Sequence, residues 1–243
     1  MARQSHPLPV LLTRPAAQSA RFASQLMHRF GLGLRVVISP LIAPFPSSPV
    51  LPDLPWTAII LTSETGAQMA NALSGLPRTA YCVGDQTAKA AREAGFHAVS
   101  ANGDADALIA LILAAGVTGP LLHLRGAESR GDVAARLIAA GVQAHAAIVY
   151  HQDAQPLLPE AALLLQGSDP VLVPLFSPRT ARLFSLQAQD ATAPMWIAAL
   201  SPAVAMDCPP AALISIATSP DAAAMLTTIA QMLDQWAITR HPS

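Results

Sequence analysis

Short apolar runs alternate along this 243-residue chain with stretches in which apolar residues recur every three or four positions. Runs of the first kind predict buried strands, and stretches of the second predict amphipathic helices. Four runs end alike, in a turn carrying Thr, Ser or Arg that opens a helical segment. They are LPVLLTRPAAQ from Leu8, AIILTSETGAQ from Ala58, LLHLRGAESRG from Leu121 and VLVPLFSPRTA from Val171. The first unit reads as a strand over 8–13, a helix over 15–30 closed by Gly31 and Gly33, and a strand over 34–39. Prolines then recur from Pro40 to Pro55 and oppose a regular helix or a central strand.

Beyond them the pattern predicts strand 58–61, helix 64–73, strand 79–83, helix 85–94, strand 97–99, helix 105–115, strand 121–124, helix 130–140 and strand 144–150. After a second breaker region, 151–160, come helix 160–166, strand 171–176, helix 179–188, strands 195–200 and 211–216, and helix 221–236. Such alternation implies βαβ units on parallel sheets, an α/β fold. The N-terminal strand-helix-strand is too small to bury a sheet alone. It is expected to join the C-terminal block in a discontinuous domain, 1–39 plus 152–243, with 40–151 inserted.

Charged residues make up 12% of the chain, with a net charge of -1 and a pI near 6.6, so no global field attracts nucleic acid or an anionic membrane. No run approaches the roughly 20 apolar residues of a membrane helix. The opening MARQSHPLPV lacks the apolar stretch of a secretory signal, so a cytoplasmic location is expected. Cys82 and Cys208 read as buried thiols. His6, His28, His97, His123, His145, His151 and His241 lack zinc-site spacing, so no metal is expected. The chain has neither GxGxxG nor GxxxxGK, which opposes a nicotinamide, flavin or nucleotide triphosphate.

What remains is the set of strand-end turns, where backbone N–H groups meet hydroxyl and guanidinium donors suited to an anion. Arg14 either projects over the sheet edge or is a solvated first-turn residue. Thr62 and Ser63 cap a helix, bind a ligand, or both, and Ser177, Pro178, Arg179 and Thr180 repeat that arrangement. Gly84 permits a tight turn or a close ligand approach. Arg125 beside Gly126 suits a carboxylate or an ion network with Glu128. Tyr150, at the end of a strand, donates a proton in a cleft or caps the core with its hydroxyl. No Ser-His-Asp or Cys-His set can be assembled by spacing, so binding protein and enzyme both stay open.

The succession LLTRPAAQSARFASQL, IILTSETGAQM, YCVGDQTAKAAREAGF, LLHLRGAESRGDVAARLIAAGV, AIVYHQ and PLFSPRTARLF resembles the uroporphyrinogen-III synthase family over nearly the whole chain. The resemblance implies two parallel-sheet α/β domains of flavodoxin-like topology. A two-stranded connector near 36–41 and 148–151 would join them, with the active site in the cleft between. It implies a lyase of tetrapyrrole biosynthesis that needs no metal or organic cofactor. Hydroxymethylbilane, a linear tetrapyrrole, would be cyclised to uroporphyrinogen III with loss of water and inversion of ring D. A monomer is implied, with transient handover of substrate from hydroxymethylbilane synthase.

The family's tyrosine falls on Tyr150, as the group that assists loss of the hydroxyl. Its substrate-holding turns fall on Thr13 and Arg14, Thr62 and Ser63, Val83 and Gly84, Arg125 and Gly126, and Ser177, Pro178 and Arg179. Departures from the family pattern are Glu64 and Thr65 after Thr62-Ser63, and Ser201, Pro202, Ala203 and Val204 where a glycine-proline pair and two threonines are usual. Either backbone N–H groups then suffice at that turn, or Ser201 replaces the missing donors. The alternative is a tetrapyrrole or anion-binding protein without catalysis, which Ala203 and Val204 favour. A two-domain periplasmic-type binding protein is opposed by the opening residues.

Overall fold

The computed structural model describes residues 8–31, 34–128 and 131–240. His6, Gly33, Arg130 and His241 lie outside them. In chain order the elements are β1 (Pro9–Leu12), α1 (Ala16–Phe30), β2 (Arg35–Ile38), β3 (Ile42–Pro46), β4 (Ala58–Leu61), α2 (Glu64–Ala70), β5 (Thr79–Cys82) and α3 (Asp85–Glu93). They continue with β6 (His97–Ser100), α4 (Ala105–Ala114), β7 (Leu121–Gly126), α5 (Val133–Ala139), β8 (Ala144–Ala154) and α6 (Pro159–Leu165). The last are β9 (Val171–Leu175), α7 (Pro178–Gln187), β10 (Met195–Ala199), α8 (Pro202–Ala205), β11 (Leu213–Ile216) and α9 (Ala222–Arg240).

The chain divides into two compact units, one made of residues 1–43 and 154–243 and the other of 44–153. We call them the terminal and the inserted unit. The terminal unit holds a sheet of order β11-β10-β9-β1-β2, whose pairings are all parallel. Renumbered along its own sequence this is 2-1-3-4-5, the flavodoxin order. The inserted unit's sheet runs β3-β8-β7-β4-β5-β6. Its parallel strands have the order 3-2-1-4-5, and β3 is added at one edge. The two sheets therefore differ in order while sharing the doubly wound plan.

Physical necessity explains which runs became which strands. Central strands β1, β4, β9 and β10 are buried along their whole length, as a parallel sheet covered on both faces requires. Edge strands β6 and β11 alternate between exposed and half-buried positions. Helix α1 buries Ser19, Phe22, Ala23 and Leu26, a stripe at helical spacing, and stops at Gly31, whose φ of 74° favours glycine. Two apolar clusters fill each unit, one on either face of its sheet. Phe184 and Ile197 lie in one and Phe22 and Met225 in the other for the terminal unit. The inserted unit has Leu61 and Ala88 against Ile60 and Leu137.

Three local features depart from expectation. The proline-rich segment contains a strand, β3, which lies at the sheet edge, where a missing N–H costs least. Ser47 N–H donates to the Val149 carbonyl and Gln155 N–H to the Leu41 carbonyl, so β3 runs antiparallel to β8. This antiparallel pair carries the chain into and out of the inserted unit and lies slightly later than 36–41. Its partner β8 runs on to Ala154 through residues expected to break it. Finally, Arg125 and Gly126 belong to β7 itself and do not form a turn after it. Arg125 pairs with Ile148 but Gly126 pairs with Tyr150, leaving Val149 as the extra residue of a β-bulge.

Candidate active site

At the carboxyl edge of the inserted unit's sheet, strand order reverses between β4 and β7, the place where open α/β sheets leave a crevice. A cavity of about 420 Å³ opens there, lined by Thr62, Ser63, Val83, Asp104, Ala105, Gly126, Glu128, Gly131 and Tyr150. Five of the residues expected from the sequence, Thr62, Ser63, Val83, Gly126 and Tyr150, thus share one wall. Asp104, Ala105 and Gly131 were not anticipated, and Glu128 was expected only as an ion partner of Arg125. They come from segments distant in sequence: Asp104 and Ala105 open α4, and Glu128 and Gly131 follow β7.

The bulge in β8 sets the position of Tyr150. Two consecutive residues, Val149 and Tyr150, are buried in one cluster where strict alternation would separate them. The phenol then lies over Gly126. A Cβ at Gly126 would stand 2.6 Å from the ring Cζ and 2.8 Å from the hydroxyl oxygen. Glycine is needed at that site for the close approach of the ring. The Tyr150 hydroxyl lies 3.1 Å from Ser63 Oγ. Ser63 also accepts the Gly66 N–H at 2.9 Å as the N-cap of α2. Its oxygen is thus fixed by the helix and offered to the phenol, and one O–H of the pair stays available to the cavity.

Thr62 does not cap the helix. Its Oγ1 is 3.1 Å from Nε2 of His123, a residue in the middle of β7. Burial, aided by the nearby Arg125 charge, pushes the His123 imidazole down to about 4, so the ring is neutral at physiological pH. Arg125 turns its guanidinium onto the carbonyls of Gly126 and Ala127, both at 3.2 Å, and braces the strand end. Gly84 N-caps α3 with an extended φ of -156°, and a Cβ there would meet only the Gly103 carbonyl at 3.9 Å. The chain's own packing does not require glycine at that position. Asp104 caps α4 by accepting the Asp106 and Ala107 N–H groups, and the Ala107 bond chiefly holds its carboxyl below the usual range. Glu64 opens α2 and does not line the cavity.

The remaining expected residues belong to the terminal unit, at the ends of β1, β9 and β10. Its order reverses between β1 and β9, beside Thr13, Arg14 and Ser177. The Arg14 guanidinium lies 4.0 Å from the centre of the Phe176 ring, which in turn meets Phe22 edge-on at 4.9 Å. That stack holds a cation at the strand edge. Thr13 is fully buried, and its Oγ1 has no hydrogen-bond partner among the described residues. Ser177 is occupied, accepting the Thr180 N–H at 3.1 Å and donating to Thr180 Oγ1 at 2.9 Å, with Pro178 at the first turn of α7. Arg179 is half-buried in the same turn. Ser201 caps the short α8, accepting the Val204 N–H at 3.4 Å. β9 carries Pro174 in a central position, where it gives no N–H to the ladder. The β1–β9 register is confined to Val10 opposite Leu172.

Cys82 is buried as expected, whereas Cys208 is only half-buried; burial, aided at Cys208 by Asp207, raises both thiols to about 11, so neither supplies a thiolate at neutral pH. Among the described residues no group of three His, Cys, Asp or Glu side chains is placed to hold a metal ion, and no helix is long and apolar enough to cross a membrane.

Two doubly wound sheets with polar turns at the strand ends, one around a hydroxyl-lined cavity, place the protein in the open α/β class, whose members hold ligands at strand ends. The profile of the family described as uroporphyrinogen-III synthase HemD matches residues 25–227, and the chain belongs to that family of tetrapyrrole-forming lyases. No curated protein matches it in sequence. Among solved structures it is similar to the uroporphyrinogen-III synthetase of Helicobacter pylori, at 15% identity and a TM-score of 0.61, covering 93% of this chain and 99% of that one. A mutant uroporphyrinogen III synthase of Thermus thermophilus aligns at 16% identity and a TM-score of 0.48, over 94% and 99% of the two chains.

Two outcomes follow from this geometry. Gly126→Ala should lower stability by roughly 1–3 kcal/mol in urea unfolding, because the added methyl overpacks the Tyr150 ring. In a Tyr150→Ala background the same change should cost less than about 0.5 kcal/mol. The second concerns pH. The folded-state value of His123 lies below the unfolded one, so the unfolded chain takes up the proton first. Its contribution is fully present above about 6.5 and is lost as pH falls toward 4. Between pH 8 and pH 5 the loss is about 2 kcal/mol, and His123→Gln should flatten that part of a stability-against-pH curve.

Proposed function

We propose that the chain is a uroporphyrinogen-III synthase, closing hydroxymethylbilane to uroporphyrinogen III with loss of water and inversion of ring D. The observation that carries this reading is the Tyr150 hydroxyl, paired with Ser63 on the wall of the cavity in a chain of this family. A pyrrole nitrogen lone pair expels the substrate hydroxyl as Tyr150 supplies the proton that makes it water. The substituted carbon of ring D attacks the resulting azafulvenium ion to give a protonated spiro pyrrolenine, and rearrangement of that centre inverts the ring. The proton released when aromaticity returns restores the phenol. Because the substrate supplies its own driving electrons, the protein's tasks are proton donation and control of the chain's fold.

The cavity's chemistry divides the substrate. Hydroxyls of Thr62, Ser63 and Tyr150 stand beside the Asp104 and Glu128 carboxylates. This set suits the hydroxymethyl-bearing pyrrole, whose N–H and developing positive charge it can accept, better than it suits a propionate. Substrate carboxylates are then left to Arg14, Arg179 and the backbone N–H groups at the Thr13, Gly84, Ser177 and Ser201 turns. Pro178 keeps α7's first turn in shape, and Arg125 serves by bracing the Gly126 strand end. The protein would act as a monomer receiving its substrate from hydroxymethylbilane synthase.

Incubation with freshly generated hydroxymethylbilane, in the presence of a chelator, should yield isomer III after oxidation and separation of the porphyrins. Formation of isomer I alone would return the chain to the class of non-catalytic tetrapyrrole binders. Tyr150→Phe keeps the ring and removes the proton, so kcat should fall roughly 10- to 100-fold while the enzymatic product stays isomer III. Full kcat would remove Tyr150 from proton transfer. Arg14→Ala and Arg179→Ala should each raise KM several-fold with turnover retained, since a partly exposed Arg–carboxylate contact contributes roughly 0.5–2 kcal/mol. Unchanged KM in both would leave carboxylate binding to backbone groups.

A further inference from the structure

Among the described residues His123 is the one buried imidazole, and the reaction above does not use it. It lies in β7 among Leu121, Leu122 and Leu124, and it is only 2% exposed. A leucine at that position would bury without an unmet polar group, whereas an imidazole out of water needs a partner. The partner is fixed by sheet geometry. His123 pairs with Ile60 across the parallel β4–β7 ladder, so Thr62, two residues further along, lies on the same face and one step nearer the strand ends. Nε2 reaches Thr62 Oγ1 at 3.1 Å from beneath the cavity wall.

A threonine hydroxyl has one proton and two lone pairs, and its only remaining freedom at a held χ1 is the rotation of that proton. A bond to Nε2 uses one direction and fixes the others. The ring itself is too buried to touch a ligand, so its influence can reach the cavity only through Thr62, which lines it. We infer that His123 is a positioning residue for the reaction, locking the Thr62 hydroxyl in the orientation that meets the bound tetrapyrrole. The inference rests on the function proposed above, because it takes a tetrapyrrole as the occupant of this cavity. Charge is not part of the device. Burial and the facing Arg125 keep the ring neutral through the working pH range, so the interaction is one of direction.

A double-mutant cycle reads this directly, with hydroxymethylbilane turnover and isomer ratio as measurements. His123→Leu should lower kcat/KM about 5- to 20-fold, the loss of one oriented hydrogen bond. His123→Gln, whose amide reaches the place of Nε2, should recover to within about 3-fold of the parent. In a Thr62→Val background His123→Leu should cost less than about 2-fold, because the hydroxyl it acts through is gone. Equal costs in both backgrounds would overturn the inference and reduce His123 to packing.

Should His123→Leu fail to fold, the intact protein supplies the second reading. The imidazole ¹⁵N signals of His123, identified by their loss in His123→Gln, should move on addition of uroporphyrinogen III and stay still in Thr62→Val. Signals that ignore the tetrapyrrole in the parent, or respond equally without the hydroxyl, would overturn it. Failure of the proposed function is seen separately, as a parent enzyme that makes no isomer III.

Discussion

The central strands of both sheets are covered by helices on each face. Their backbone groups are committed to the ladder and their side chains to the core, and polar function is displaced to the strand ends. Parallel pairing puts all those ends on one edge of each sheet, and the helices that follow begin there with unsatisfied N–H groups. Ser63, Gly84, Asp104, Ser177 and Ser201 all occupy the helix-opening position. Most of the candidate site residues are thus consequences of one constraint, that a fully covered parallel sheet places its polar groups where its strands stop.

Within that constraint the inserted unit's cavity depends on a departure from regularity. A ladder in strict register would send Val149 and Tyr150 to opposite faces. The extra residue in β8 brings both inward and lays the phenol over Gly126, within reach of Ser63. Each partner is then held by something other than the ligand: Ser63 by the Gly66 N–H, Thr62 by His123, and the strand end by the Arg125 guanidinium on its carbonyls. A site supported in this way loses little freedom when its ligand arrives.

Much of this was legible in the residues. Apolar runs ending in Thr-Ser, Arg-Gly or Ser-Pro marked the strand ends, because helix caps and buried strands have local signatures. Tyr150 stood out as one of only two tyrosines, at the end of such a run. What was not legible depends on pairing between distant segments. The bulge at Val149 is a relation between β7 and β8, and the edge position that lets β3 tolerate its prolines is a property of the whole sheet. Asp104 and Glu128 reach the cavity from loops that sequence distance separates. His123 stood only among the histidines without zinc-site spacing, and it is the β4–β7 register that places it under Thr62. Arg125 was expected to face a ligand or to join an ion network with Glu128, and only the geometry of its own strand end shows the carbonyls it holds.

The terminal unit's sheet has β1 near its middle, with β2 on one side and β9 on the other, and β9 lies beyond the inserted unit in sequence. During synthesis the apolar β1 leaves the ribosome long before the strand that will cover its open side. The inserted unit, complete by residue 153, can close its own core first. Until 171–175 emerges, the N-terminal strand pair presents an unpaired, wholly apolar edge, the kind of surface that chaperones shield and that joins chains together when they do not. Growth from the N-terminus therefore lets the inserted unit close before the strand pair that emerges ahead of it.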